Sequence, residues 1–453
     1  MTPSEQKNAI PDVSALLEGY RTRLYDPVTQ MQACLERIDR LQPKLNAFSA
    51  HNAGAQEEAQ ASRARWQDGT PLGPLDGVPI IIKDNLMSAG LPAAWGNAEL
   101  SKRVCIQDER PVAALRKAGA IVLGKGNTPE FAVDGYTGNQ TFGTTRNPFN
   151  PSLTPGGSSG GVVAAVASGM ALAGLATDGG GSIRRPVGYT GLWGLKPGIN
   201  SVPRGGGLPQ VLLDFETVGP VTRSARDLSL FFSALSDSPV STPSRTLRIL
   251  AVERMPAAPC DPGIRAAFAR TTSRLQSLGH SVETGELPID LVPLGKLWPQ
   301  IVEIGLAHLA QADPRVMASA ARKYRDMAAR GAEHGAVGLY DAMTRVFAMR
   351  EAVRGLWGFD AVLLPTAAAQ PWLAEEAYPS VIDGQQVGPR GHAVYTGWVN
   401  ATGLPALAFP AGLAGGMPAG MQLVADHGGE AMLLDLADAL ERHPQCDLAV
   451  VRP

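Results

Sequence analysis

Two short segments concentrate the residues of this chain that could perform covalent chemistry: TPGGSSGG at 154–161 and TDGGGSIRRP at 177–186. Each sets serine beside glycines, and the small-residue run at 162–173 between them reads as a helix. Glycines lack a Cβ, so successive backbone N–H groups can converge on one point, as a tetrahedral oxyanion requires. Gly179, Gly180, Gly181 and Ser182 are therefore the candidate oxyanion hole, with Ser182 the candidate nucleophile. The alternative is that both segments are flexible glycine-serine loops. Two such runs bracketing one small-residue helix weigh against it.

A serine hydroxyl is a weak nucleophile and needs a base. None of the seven histidines lies between His51 and His280, none sits in a turn motif of Ser-His-Asp type, and GxSxG is absent around Ser182. Folding could still bring a distant histidine close. A lysine serves instead where burial lowers its pKa from about 10.4 toward neutrality. Lys83 fits that need, because it closes the apolar run VPIII at 78–82, which follows the turn cluster PLDG at 74–77 and reads as a buried strand. Ligands in open α/β sheets gather outside the carboxyl ends of strands, where Lys83 would stand.

The elements that must position these residues alternate between strands and helices. Further buried strands are expected at 120–123, 247–252, 361–364, 406–409 and 421–425, with helices at 110–118 and 430–442. From 13 to 66, apolar residues recur at helical spacing, which reads as two or three amphipathic helices. A polar, proline-rich linker at 236–244 is followed directly by strand, as if one sheet were being completed. The reading is one discontinuous α/β unit over 1–453: N-terminal helices at 1–68, a core at 70–235, and 245–453 completing the sheet. A helical insertion at about 296–358 is expected to shape a pocket mouth.

The motifs DGVPIIIKDN (76–85), AGAIVLGKGN (118–127), FGTTRNP (142–148), PGGSSGG (155–161), TDGGGSIRRP (177–186) and GLWGLKPG (191–198) together resemble the amidase signature family. The likeness is dense over about 70–230 and traceable in FDAVLLPTA (359–367), TGLPALAFPAG (402–412) and MPAGMQLVAD (417–426). It implies a central mixed, twisted sheet covered by helices on both faces, and a Ser–Ser–Lys triad. Carried over by motif, the base is Lys83, the bridging serine Ser158 after a non-prolyl cis peptide at Gly157–Ser158, and the nucleophile Ser182. Ser159 is the nearest competitor for the bridge. Asp178 and Arg184 flank the loop and read as a pair that braces it. Arg185 stands where relatives often carry a smaller or uncharged residue, and either anchors a substrate carboxylate, faces solvent or is paired internally. Gly138 replaces a bulkier or acidic residue, which suggests a roomier pocket lined by Tyr136, Thr137, Gly138 and Asn139, with Trp95 either bordering it or packing in the core.

Bulk properties narrow the function. Forty basic against forty-two acidic side chains leave a formal charge of -2, which favours small-molecule chemistry over nucleic acid or an anionic membrane surface. Cys34, Cys105, Cys260 and Cys446 form no CxxC pair, so buried free thiols are expected and neither a disulfide framework nor a zinc site is signalled. The first twenty residues lack a signal-peptide pattern, and a cytoplasmic protein, monomer or homodimer, is expected. GAIVLGK at 119–125 matches GxxxxGK, but Gly126 stands where a Ser or Thr would hold magnesium, and the middle residues read as strand. No cofactor or metal is implied. The expected activity is hydrolysis of amides, extending to carbamates (urethanes), anilides or esters. The rivals are a glutamine-hydrolysing component of an amidotransferase complex, against which Gly138 and the shorter chain are weighed, and a non-catalytic scaffold, against which the intact triad stands.

Overall fold

In the computed structural model, residues 10–443 are described except 239–240, 242–244 and 357. Cys446 and most of the expected linker lie outside the described residues. Eleven strands form one sheet: β1 (Phe48–His51), β2 (Pro79–Lys83), β3 (Ile121–Gly126), β4 (Ala173–Asp178), β5 (Trp193–Lys196), β6 (Thr217–Thr222), β7 (Arg248–Ala251), β8 (Ser281–Thr284), β9 (Ala361–Pro365), β10 (Ala406–Ala414) and β11 (Met417–Ala425). Their spatial order is β1-β3-β2-β4-β6-β5-β10-β11-β9-β7-β8. The sheet is mixed: β2 runs parallel to β3 and β4, whereas β4, β6, β5, β10 and β11 follow one another antiparallel. The second half of the chain thus extends the same sheet, and helices flank it to give a single α/β domain.

Strand β2 explains why Lys83 sits where it does. Ile80, Ile81 and Ile82 are fully buried, as β-branched residues of an internal parallel strand should be. The hydrophobic run ends at Lys83, so the ammonium is delivered to the carboxyl edge of β2 beside β4. On the neighbouring side the helix Gly160–Ala167 packs close to β2, β3 and β4. That approach depends on its small residues, since a Cβ on Gly161 would stand 2.2 Å from the backbone nitrogen of Asn127.

Several expected elements need correction. The small-residue run at 162–173 is not one helix: the helix ends at Ala167 and β4 begins at Ala173. The segment 13–66 carries helices Val13–Arg21, Pro27–Leu45 and Ala55–Asp68, but also β1, a short edge strand antiparallel to β3. The insertion is helical as expected, from Val292–Ala312 through Ala336–Ala352. Among the described residues no helix is long and apolar enough to cross a membrane. Cys34 and Cys260 are buried free thiols, and Cys105 is free and half-buried.

Candidate active site

Lys83 is fully buried, and its Nζ donates to Ser158 Oγ at 2.8 Å, to Thr177 Oγ1 at 2.8 Å and to the Thr177 carbonyl at 3.1 Å. Burial pushes the ammonium down to about 8, with Glu216 and Asp178 opposing the shift. Near that pH a large fraction of the amine is neutral and has a lone pair to take a proton. Ser158 follows a cis peptide at Gly157–Ser158. Ser159 is placed differently: its Oγ donates to the Thr177 carbonyl at 3.2 Å and its backbone N–H to the Ser182 carbonyl at 3.3 Å, tying the two glycine segments together.

Ser182 is only 6% exposed and opens into a cavity of about 330 Å³. It stands just before the helix Arg184–Thr190. The loop that presents it is organised by Asp178 at the end of β4. Asp178 Oδ1 accepts from the Gly181 N–H at 2.6 Å, and Oδ2 from the Ile183 N–H at 3.0 Å. Arg184 meets the same carboxylate as a fork, Nε to Oδ2 and Nη2 to Oδ1, each at 3.0 Å. Asn400 adds a bond to Oδ1 at 2.9 Å, and Gln422 accepts from Arg184 Nη1 at 2.8 Å. Burial would raise the Asp178 pKa, but Arg184 overrides it and holds the carboxyl far below its ordinary range. The bracing expected of this pair is what the contacts describe. Among the expected oxyanion donors, the Gly181 N–H is already donated to Asp178, and the amides of Gly179, Gly180 and Ser182 remain as candidates.

Arg185 is 5% exposed and paired with carbonyls instead of a carboxylate. It donates to the Gly180 carbonyl in a short contact, to Thr396 Oγ1 at 2.9 Å and to the Gly157 carbonyl at 3.4 Å. Thr396 Oγ1 donates to the same Gly180 carbonyl at 2.7 Å. The Gly180–Gly181 peptide is therefore fixed at both ends, oxygen by Arg185 and Thr396, N–H by Asp178.

Of the residues expected to line the pocket, Arg185 does, and the others serve elsewhere. The cavity wall comes from 132–135, from Leu212, from the insertion (Trp298, Val302, Lys323, Met327) and from Pro389, Arg390, His392 and Ala393. Gly138–Asn139 pairs with Gly143–Thr144 in a small ladder, and Asn139 Nδ2 reaches Asn127 Oδ1 and the Thr128 carbonyl, each at 2.8 Å. Thr137 Oγ1 clamps the first glycine segment, donating to the Gly156 carbonyl at 2.9 Å and accepting from the Gly160 N–H at 3.1 Å. Trp95 packs edge-on against Phe131 in the core. Tyr136 is half-buried beside Tyr189 and Trp372. Thr137 thus holds the first glycine segment from behind, and Asn139 holds the segment that follows β3.

Sequence reasoning missed a polar relay behind Lys83. Thr177 Oγ1 donates to Glu216 Oε2 at 3.2 Å, and Asn85 Nδ2 donates to Thr177 Oγ1 at 3.1 Å. Arg204 bridges Glu216 at 2.7 Å and Glu109 at 2.8 Å. Thr177 and Asn85 lie inside conspicuous motifs; Glu216 and Arg204 carry no local signal.

A protein-family model described as Amidase matches residues 30–434. Among curated proteins the chain is similar to the A-type subunit of the glutamyl-tRNA(Gln) amidotransferase of Thermus thermophilus, 31% identical with 92% of this chain and 93% of that protein covered. It is also similar to the corresponding protein of a Roseiflexus species, 32% identical over 94% of both. Among solved structures it matches a bacterial aryl acylamidase of the amidase signature enzymes (TM-score 0.88, 25% identity, 96% of both chains). A 6-aminohexanoate cyclic dimer hydrolase complexed with substrate matches with a TM-score of 0.86 at 25% identity, covering 96% of this chain and 99% of that one.

Proposed function

Because this chain belongs to the amidase signature family, we propose that it is a serine hydrolase cleaving the C–N bond of carboxylic amides, with carbamates, anilides and esters within reach of the same chemistry. The observation that carries the reading is the buried Lys83 amine, 2.8 Å from the Ser158 hydroxyl and lowered to about 8. Neutral Lys83 takes a proton from Ser158, Ser158 takes one from Ser182, and the Ser182 oxygen attacks the substrate carbonyl. The developing oxyanion is met by the amides of Gly179, Gly180 and Ser182. Collapse of the tetrahedral intermediate breaks the C–N bond while the relay returns a proton to the leaving nitrogen. Water, deprotonated by the same relay, then releases the acid from Ser182.

A panel of aryl amides, aryl carbamates and aryl esters, each with and without Ser182→Ala, tests the reading. Turnover that survives the substitution overturns it. The curated relatives favour one rival, a glutamine-hydrolysing component of a larger assembly. In that case the purified chain would hydrolyse none of the panel and would release ammonia from glutamine only when a partner is supplied.

A further inference from the structure

Four charged side chains line the cavity in front of Ser182: Asp134, Arg185, Lys323 and Arg390. Asp134 is already engaged, accepting from Lys323 Nζ at 2.5 Å and from the Tyr324 hydroxyl at 2.6 Å. That pairing leaves two guanidiniums with no carboxylate of the cavity to answer them. Arg390 makes no ion pair among the described residues; its guanidinium lies over the Trp298 ring, 4.9 Å from the centroid. The Arg185 Nε is buried without a hydrogen-bond partner, and so are both ring nitrogens of His392, a side chain only 2% exposed. His392 stands near both arginines, and with burial they keep it neutral, so it offers one N–H.

The Arg185 Nε and the His392 ring are thus desolvated donors left unanswered by the protein, an arrangement that is costly unless a ligand supplies the acceptor, and the exposed Arg390 guanidinium adds positive charge to the same cavity with no carboxylate there to meet it. Resting on the amidase reading of Ser182, we infer that the substrate carries a carboxylate, bound by the Arg390 guanidinium with Arg185 and His392 beside it, while its amide carbonyl faces Ser182. A planar carboxylate matches the guanidinium fork. The cavity of about 330 Å³ suits a compact molecule such as the anilide of a short dicarboxylic acid.

The Ser182→Ala chain, which cannot turn substrate over, separates recognition from chemistry. Its affinities for succinanilic acid and for the methyl ester of that acid are measured by calorimetry. The acid should bind about tenfold tighter than the ester, the scale of one charge-assisted contact. Adding Arg390→Gln should bring the ratio close to one, and Arg390→Lys, which keeps the charge but not the fork, should give an intermediate value even if the glutamine variant fails to fold. Equal affinities, no binding of the acid, or a preference that survives folded Arg390→Gln overturns the inference. If the unsubstituted chain hydrolyses no amide while the acid preference persists, the amidase reading fails and the carboxylate site stands.

Discussion

Lys83 and Glu216 are joined through a single hydroxyl: Thr177 Oγ1 accepts from Lys83 Nζ at 2.8 Å and donates to Glu216 Oε2 at 3.2 Å. The carboxylate thereby favours the charged form of a lysine that burial pushes toward neutrality. Only the neutral amine can act as base, so kcat/KM should rise with pH through about 8. Glu216→Gln removes the negative charge and leaves Arg204 beside the relay, which lowers the Lys83 pKa further. The rising limb should then move to lower pH. A pH profile of the variant that coincides with the unsubstituted one would show that Glu216 has no hold on Lys83.

Ser182→Ala and Lys83→Ala should each lower kcat by about 10⁴-fold or more, since members of a catalytic unit fail together. Ser182 lies in a loop at a cavity wall, so its truncation opens no core void, and circular dichroism and Tm should stay near those of the unsubstituted chain. The double variant should be scarcely worse than either single one. Additive losses would mean that the two residues act in separate steps.

Strand β2 is legible in the sequence because a parallel strand buried on both faces needs an unbroken apolar run, and Val78 to Ile82 supplies one. Strand β6 is not, because Gly219 and Pro220 sit within it and both ordinarily argue against a strand. The serines and Lys83 can be found because glycines and a strand end mark them locally. Glu216, Asn400, Gln422 and Arg390 reach the site from segments far along the chain, and no periodicity brings them together. Of the expected pocket residues at 136–139, Thr137 is consumed by the backbone of the first glycine segment and Asn139 by Asn127 and Thr128, contacts only the folded chain defines.

The Asp178–Arg184 pair has neither side chain exposed, so it should be intolerant of half-removal. Arg184→Met strands a buried carboxylate and leaves Asn400 and Gln422 without their donor, at a cost of about 3–5 kcal/mol. The expected result is a large drop in the urea midpoint together with loss of activity. Replacing both partners, Asp178→Asn with Arg184→Met, should recover part of the stability but little of the activity, because Asn offers one acceptor where the Gly181 and Ile183 amides need two. Recovery of activity in the double variant would place the organisation of this loop elsewhere.

Gly181 concentrates the geometric demand on that loop. Its φ is +109°, a conformation that side-chain-bearing residues rarely adopt, and a Cβ there would stand 2.3 Å from both Arg185 Nη1 and Thr396 Oγ1. Those two groups hold the Gly180 carbonyl, so Gly181→Ala disturbs the peptide on which the oxyanion donors depend. The strain should cost about 1–3 kcal/mol of stability. The signature that separates this effect from simple destabilisation is kinetic. At a temperature where the variant is fully folded, kcat should fall by about tenfold or more while KM changes little, as expected when an interaction made only in the transition state is weakened. A variant with unchanged kcat and a raised KM would instead assign Gly181 to ground-state binding of the substrate.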